Sequence, residues 1–160
     1  MERDRHVVGI AELVDFPDWK VTGLRAKVDT GARSSALHVE NIRELPDGWV
    51  EFDVRLHRKN DQRRRRVCAQ ISRRGRVRPS SGESQARLFV RTRVRIGPIE
   101  REVEVSLVDR QAMIYRMLLG RTALTPGILV DPGKRYLLSN RLKKAPGKTR
   151  PRIKHRGAPE

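Results

Sequence analysis

The residues with the clearest catalytic potential are Asp29, Thr30 and Gly31, which directly follow the segment 24–28. Apolar residues of that segment fit a strand, so the Asp29 carboxylate is expected where the strand ends in a tight turn. Glycine adopts backbone angles that other residues avoid and leaves its N–H free to donate to the carboxylate. The threonine hydroxyl can donate and accept hydrogen bonds with the residues that pack beneath this turn. An Asp-Thr-Gly tripeptide alone also fits an ordinary turn.

The elements that must position these residues are predicted to be strands. Val50, Phe52 and Val54 alternate with charged residues, and the same period of two runs through residues 88–96 and 103–107. This alternation is typical of half-buried antiparallel strands. The sequence therefore predicts an all-β, barrel-like domain.

Turn and helix signals complete this prediction. Pro46-Asp47-Gly48, Gly97-Pro98 and Asp131-Pro132-Gly133 each precede apolar segments and predict hairpin turns. Short helical turns are predicted at residues 121–124 and 111–117, and the first of these supplies the one short helix near the end of the domain.

Length and charge set the domain organisation. The chain has 160 residues, 37% of them hydrophobic, a mean hydropathy of -0.65 and a net charge of +17. One domain at residues 1–140 is expected, followed by a basic, disordered tail at 141–160 with eight Lys or Arg residues and one acid. No apolar segment is long enough to cross a membrane, and the N-terminal residues have no signal-like apolar region, so a cytoplasmic location is expected.

The positive charge leaves several interpretations open. Residues 1–140 contain 28 basic and 18 acidic residues, and residues 63–78 alone contain eight arginines. Such a surface attracts polyanions, so nucleic acid is one candidate partner, through the tail and this arginine run. Aromatic residues make up only 4% and no recognised nucleic-acid motif is present. An acidic peptide is a second candidate, and solvated loop arginines without a partner are a third.

Two motifs of the sequence resemble those of a known protease class and occur in the same order as in that class. Val28-Asp29-Thr30-Gly31-Ala32 resembles the active-site loop of retropepsin-type aspartic proteases, and Met117-Leu118-Leu119-Gly120-Arg121 resembles the strand and short helix that cross beneath it. Further segments extend the resemblance over about residues 7–140: Ser34-Ser35-Ala36-Leu37-His38, Val77-Arg78-Pro79-Ser80-Ser81-Gly82, Asp109-Arg110 and Leu129-Val130-Asp131-Pro132. Together they resemble a bacterial retropepsin-like aspartic endopeptidase family, formerly called ATP-dependent zinc protease, which is often associated with ATP-grasp ligases that add glutamates.

The resemblance implies a fold, an activity and a set of site residues. It implies a closed retropepsin-like β-barrel and peptide hydrolysis by two aspartates that share a proton. Since the chain has one such loop, the second Asp29 would come from another copy in a homodimer. Asp29, Thr30 and Gly31 would form the catalytic loop. The residues implied to bind substrate are Ala32, Arg33, Ser80, Ser81, Gly82 and Arg121.

Two departures from the retropepsin pattern suggest how substrate is chosen. Retropepsins commonly have an Asp where Arg33 stands, while Arg121 is retained. We expect Arg33 and the arginines at 63–78 to favour glutamate-rich peptides, unless Arg33 pairs with Asp109, Glu83 or another acid. The spacing from Asp29 to Gly120 is long, and the extra residues at 60–85 are expected to include a flap, with its tip at Gly75 or at Ser80-Ser81-Gly82, or to form a surface loop.

No cofactor or metal is predicted. His6, His38, His57 and His155 show no helical pair spacing, and no Gly-rich nucleotide loop is present. It stays open whether His38, His57 and the single cysteine, Cys68, come together in space. The leading hypothesis is a homodimeric aspartic peptidase for acidic or polyglutamate-tailed substrates, in functional association with an ATP-grasp ligase. The alternatives are a catalytically silent binding module with the retropepsin fold and a basic nucleic-acid-binding protein.

Overall fold

The fold consists almost entirely of β-strands. The computed structural model describes residues 5–56, 63–79, 82–110 and 114–139. Within them the strands are β1 (His6–Val8), β2 (Ala11–Phe16), β3 (Val21–Val28), β4 (Ser35–His38), β5 (Glu40–Leu45), β6 (Trp49–Arg55), β7 (Arg64–Val77), β8 (Gln85–Ile96), β9 (Ile99–Val108), β10 (Met117–Leu119) and β11 (Ile128–Val130). One short helix, α1 (Arg121–Leu124), and two single 3-10 turns, Pro17–Trp19 and Pro46–Gly48, complete the described elements.

Six strands close into a barrel. The hydrogen-bonded order is β2, β3, β10, β4, β9 and β8, and β8 returns to β2 through the pairing of Arg95 with Asp15. This is the closed β-barrel with one short helix that the retropepsin resemblance implies, and it confirms the predicted fold class. A closed barrel leaves no free sheet edge around its circumference.

Three further strands extend from the barrel. β7 pairs with β8 over its second half and with β6 over its first half, and β5 pairs with β6. A register shift between Ile71 and Arg73 separates the two halves of β7. The extension therefore continues from the β8 side of the barrel.

Alternation of apolar residues explains the core. In β6, Val50, Phe52 and Val54 are buried, and in β3 Leu24 and Ala26 are buried with the exposed Arg25 between them. Burial of such side chains contributes roughly 1.5–3 kcal/mol each. The core fills the barrel and continues beneath β6.

The predicted turns are confirmed in part. Pro46–Gly48 connects β5 to β6, and Gly97 and Pro98 connect β8 to β9. The Asp131-Pro132-Gly133 turn forms as well, since the Gly133 N–H donates to Asp131 Oδ1 at 2.9 Å. No strand follows it among the described residues. Leu138 instead donates its N–H to the buried Glu12 carboxylate at 2.9 Å, which holds this segment against the barrel.

Of the two helix predictions, one is confirmed and the other is wrong in part. The predicted helix at residues 121–124 is confirmed as α1. The helical turn predicted at 111–117 is wrong at Met117, which begins β10 and pairs with Ala26 of β3. The wrong prediction has a physical cause, because three apolar residues in a row fit a buried strand and a helical turn equally well. Residues 111–113 and the tail at 141–160 lie outside the described residues.

In the portion of the chain that the structure describes, no helix has the length and apolar character needed to cross a membrane.

Candidate active site

Asp29 lies in the loop that connects β3 to β4, immediately after β3 ends. Its N–H donates to the carbonyl of Leu119 at 2.9 Å, and its Oδ1 accepts the N–H of Gly31 at 3.0 Å. A Cβ on Gly31 would lie 3.2 Å from the same oxygen, which is a tight contact. Glycine at this position therefore leaves room for the carboxylate as well as donating to it.

β10 is inserted between the two strands that flank this loop. It runs parallel to β3, with Leu119 opposite Val28, and antiparallel to β4, with Leu118 opposite Ala36. The next residue, Gly120, lies so close to the loop that an added Cβ would collide with the Ser34 carbonyl. The Asp29 loop is thus wrapped around the junction of β10 and α1.

The first residues of α1 hold the loop through its backbone. Arg121 N–H donates to the Ala32 carbonyl at 2.8 Å and Thr122 N–H donates to the Arg33 carbonyl at 3.0 Å. The Arg121 guanidinium donates to the Thr30 carbonyl at 3.0 Å. These bonds fix the path of the loop on both sides of Gly31, and they give Arg121 a positioning contact inside the chain.

A buried polar chain leads from this junction across the barrel wall. Ser35 Oγ accepts the Gly120 N–H at 3.1 Å, and the Ser35 carbonyl accepts the hydroxyl of Ser106 at 3.3 Å. Ser106 Oγ in turn accepts a hydrogen bond from Arg87 Nη1 at 3.3 Å. Sequence reasoning missed Ser106 and Arg87, because no local motif marks them and they meet only through the pairing of β4, β9 and β8.

An open cleft of about 1110 Å³, here called the Asp29 cleft, lies beside the loop. Of the predicted site residues, Asp29, Gly31, Ala32 and Arg33 line it together, whereas Thr30, Gly82 and Arg121 are not among its lining residues. The predicted substrate-binding residues Ser80 and Ser81 lie outside the described residues. The loop thus presents its carboxylate and the two residues after Gly31 to the cleft.

Acidic residues of the cleft differ in whether they are paired. Glu104 accepts from Arg73 Nε at 2.7 Å, and Glu102 lies 3.5 Å from Arg91. Asp29 has no ion-pair partner among the described residues. Within the described part of the cleft lining, Asp29 is therefore the one carboxylate without a cation beside it.

The arginines of the cleft also fall into groups. Arg76 donates to Ser84, and Arg78 donates to the Gly82 carbonyl at 3.0 Å, so both support the turn after β7. Arg33, Arg87 and Arg110 have no carboxylate partner among the described residues. The pairing of Arg33 with Asp109 or Glu83, left open above, is not observed there.

The β7–β8 hairpin forms one side of the cleft. Its strands pair from Ile71 opposite Val90 to Val77 opposite Gln85, and Val77 and Pro79 line the cleft. Gly75 lies inside β7, beside the Phe89 ring, so the connection between the two strands comes after Val77 and before Gln85. Of the two tip positions considered from the sequence, this excludes Gly75 and leaves the segment that contains Gly82.

A buried histidine lies behind the cleft. His38 Nδ1 accepts the N–H of Arg110 at 2.9 Å, and its Nε2 lies 3.5 Å from Glu40 Oε1. Burial lowers the pKa of His38, Arg116 lowers it further, and Glu40 and Asp109 oppose this change. His38 is therefore held as the neutral imidazole that the bond from Arg110 requires.

The described residues offer no evident metal site. No group of three or more His, Cys, Asp or Glu side chains is placed to share an ion within residues 5–56, 63–79, 82–110 and 114–139. Of the three residues whose convergence stayed open, His38 is buried, Cys68 is exposed, and His57 lies outside the described residues.

The closed barrel and the Asp-Thr-Gly loop wrapped around β10 and α1 define a protein of the retropepsin-like class. A family model described as retropepsin-like aspartic endopeptidase RimB matches residues 7–141. The chain belongs to this RimB-like family.

Curated relatives carry a different name. The chain is 33% identical over 144 residues to a protein of Shewanella pealeana named probable alpha-L-glutamate ligase, a match that covers 88% of this chain and 31% of the relative. A protein of Parasynechococcus marenigrum with the same name is 35% identical over 130 residues, covering 79% of this chain and 28% of the relative. The chain therefore spans less than a third of the length of these two relatives.

A solved structure supports the fold. A Legionella pneumophila protein, Lpg0085, described as having unknown function, matches with a TM-score of 0.68 and 27% identity, covering 82% of this chain and 97% of that one. The barrel is thus shared over nearly all of that protein.

Proposed function

We propose that this chain is an aspartic peptidase that hydrolyses peptide bonds as a homodimer, with one Asp29 from each copy. The observation that carries the proposal is the state of the Asp29 carboxylate. It lies in the cleft, is fixed by the Gly31 N–H at 3.0 Å, and has no ion-pair partner among the described residues. A fixed and unpaired carboxylate suits proton transfer with a bound water.

The second carboxylate must come from elsewhere. The other acids of the cleft lining, Glu102 and Glu104, are paired with Arg91 and Arg73. Asp131, which also accepts the N–H of the glycine two residues later, does not line the cleft. A second copy related by a two-fold axis supplies an identical Asp29 loop, and the exposed Thr30 beside it is available to such an interface.

The paired carboxyl groups divide the chemistry between them. Two full negative charges roughly 3 Å apart repel by about 5–6 kcal/mol at an effective dielectric constant near 20, so the pair retains one proton. The ionised Asp29 removes a proton from water while the water oxygen bonds to the peptide carbonyl carbon. The protonated Asp29 gives its proton to the carbonyl oxygen. The first Asp29 then gives the proton that it took from water to the amide nitrogen as the C–N bond breaks, and the second Asp29 takes a hydroxyl proton as the carbonyl reforms.

The charge of the cleft supports an acidic peptide as substrate. Arg33, Arg87 and Arg110 line it without carboxylate partners among the described residues, so a peptide that carries carboxylates supplies the missing negative charge. The names of the curated relatives extend this to a substrate class and a partner. A protein with added glutamates is the proposed substrate, and an ATP-grasp glutamate ligase is the proposed functional associate.

The test compares peptide cleavage by the wild type with that by Asp29→Asn. The amide keeps the size of the side chain and can still accept the Gly31 N–H, but it cannot remove a proton from water. We expect hydrolysis of glutamate-rich peptides to fall by at least about a hundredfold with the dimer intact, since general acid–base groups typically contribute 10²–10⁴-fold.

Asp131→Asn is the matched control, because this residue has a similar turn outside the cleft. It should cleave like the wild type. Full activity in Asp29→Asn would reject the peptidase and favour a silent binding module.

A further inference from the structure

Arg87 is an arginine buried in the cleft wall without a counter-ion. It is only 8% exposed, yet it lines the Asp29 cleft. Its Nη1 donates to Ser106 Oγ and its Nη2 to Gln85 Oε1, both at 3.3 Å, and its Nε has no hydrogen-bond partner. Both of its partners are neutral, and no carboxylate of the described residues pairs with it.

This arrangement is costly unless an anion completes it. A buried charge is penalised by the loss of water, and the penalty is offset when an opposite charge with hydrogen bonds replaces the water. Burial lowers the pKa of Arg87, and the nearby Arg110 lowers it further. Two cations at one place in the cleft, one of them buried, create an attractive position for an anion.

Hydrogen bonds to Ser106 and Gln85 orient the Arg87 guanidinium. Phe89 of the same strand, with Arg73 over its ring at 3.7 Å, lines the cleft on the same face of β8. Ser106, which accepts from Arg87, bonds to the Ser35 carbonyl, and Ser35 bonds to Gly120 beside the catalytic loop. A rigid donor connected in this way to the Asp29 loop is suited to set the register of a bound peptide.

We propose that Arg87, assisted by Arg110, binds one carboxylate of the bound peptide and thereby determines which peptide bond faces Asp29. This inference rests on the proposed peptidase function and identifies its specificity-determining residue. A guanidinium fork recognises a carboxylate through two parallel hydrogen bonds. The carboxylate belongs either to a Glu or Asp side chain or to the C-terminus of the peptide, and the experiment separates these two sources.

The experiment measures peptide binding to the full chain that carries Asp29→Asn, which removes hydrolysis from the measurement. Three versions of a glutamate-rich peptide are compared: the parent, a series with each Glu replaced singly by Gln, and the parent with an amidated C-terminus. We expect one replacement to weaken binding by about tenfold or more, the range of a charge-assisted hydrogen bond, and the others to weaken it only slightly. A loss confined to the amidated peptide would identify the C-terminus as the ligand.

Arg87→Met should abolish the difference in binding between the parent peptide and the peptide that lacks the critical carboxylate, so that the two bind equally. Arg76→Met is the matched control, since Arg76 also lines the cleft but is exposed and bonds to Ser84. Arg76→Met should weaken the binding of all the acidic peptides to a similar extent and preserve the difference between the parent and the substituted peptide. If Arg87→Met does not fold, Arg110→Met serves as the second variant, with a reduced difference expected.

The proposal is overturned if no single carboxylate matters in the Asp29→Asn chain, or if Arg87→Met retains the full difference. These results are distinguishable from failure of the peptidase proposal. A wild type that cleaves nothing, combined with carboxylate binding that depends on Arg87, would reject the hydrolysis and retain the binding site.

Discussion

At the scale of single residues, Arg33 and Arg121 show how one residue type takes two roles around the same loop. Both were predicted to bind substrate. The Arg121 guanidinium donates to the Thr30 carbonyl, and it is not part of the cleft lining. Arg33 is exposed, lines the cleft and has no carboxylate partner among the described residues. Of these two arginines, Arg33 is therefore the one that we propose contacts an acidic substrate.

Reversing the charge of Arg33 tests this role. Arg33→Glu retains the backbone carbonyl that accepts from Thr122, so the loop should keep its path. We expect kcat/KM to fall at least about fivefold more for an acidic peptide than for a neutral one, since an exposed ion pair contributes up to about 1 kcal/mol and reversal adds repulsion. Arg25→Glu, exposed on β3 and outside the cleft lining, is the control. Equal losses on both peptides would contradict the role.

His38 is the residue for which the structure predicts pH dependence. It is 1% exposed and accepts the Arg110 N–H through Nδ1, which requires the neutral ring. Burial lowers its pKa, Arg116 acts in the same direction, and Glu40 and Asp109 oppose the change. Because the unfolded chain then binds the proton more readily, stability is lost as pH falls through the unfolded pKa of about 6.5.

Replacement by asparagine isolates this effect. His38→Asn offers an oxygen to the Arg110 N–H but does not titrate. The free energy of unfolding of the wild type should decrease between pH 7.5 and 5.5 more steeply than that of the variant. The difference is about 1.4 kcal/mol for each tenfold weakening of proton affinity on folding. Urea unfolding at several pH values measures it, and identical slopes would show that His38 is not the group responsible.

At the scale of elements, the junction of β10 and α1 positions the site. Gly120 is needed there because a side chain would collide with the Ser34 carbonyl. Its N–H bonds to Ser35 Oγ, and the next two residues bond to the carbonyls of Ala32 and Arg33. A disturbance at this glycine therefore reaches the Asp29 loop directly.

Gly120→Ala should destabilise the chain by about 1–3 kcal/mol, the usual cost of overpacking. It should also lower peptide hydrolysis, because the strands that flank Asp29 must separate. Gly133→Ala is the control, since its Cβ would meet only Asp131 Oδ1 at 3.4 Å. Thermal unfolding and peptide cleavage measure the two effects. Wild-type stability in Gly120→Ala would show that the close packing at the junction is not required.

Strand prediction from sequence succeeded where alternation was clear and failed where arginines obscured it. β6, β8 and β9 follow their alternating patterns. No strand was predicted over β7, yet it is a continuous strand of 14 residues. Its arginines pair with acids on neighbouring strands, as Arg66 does with Asp53 and Arg64 with Glu40. Such pairing is invisible in a local window, because the partners are distant in sequence.

At the scale of the whole molecule, the site residues that the sequence identified are those carried by one loop. Asp29, Gly31, Ala32 and Arg33 could be predicted because their motif is local. Arg87 could not, because its position depends on the pairing of β8 with β9 and of β9 with β4. Long-range strand pairing thus determines the part of the cleft that we propose recognises substrate, whereas the local motif determines the part that we propose is catalytic.

The proposed hydrolysis requires a dimer, since one chain supplies one Asp29 loop. The decisive measurement uses a heterodimer of wild type and Asp29→Asn, prepared by co-expression with two different tags and sequential purification. Peptide hydrolysis is compared with that of the wild-type homodimer purified in the same way. The account predicts that the heterodimer forms and is inactive, because it retains only one of the two carboxylates. A heterodimer with half the activity, or an active chain that forms no dimer, would contradict it.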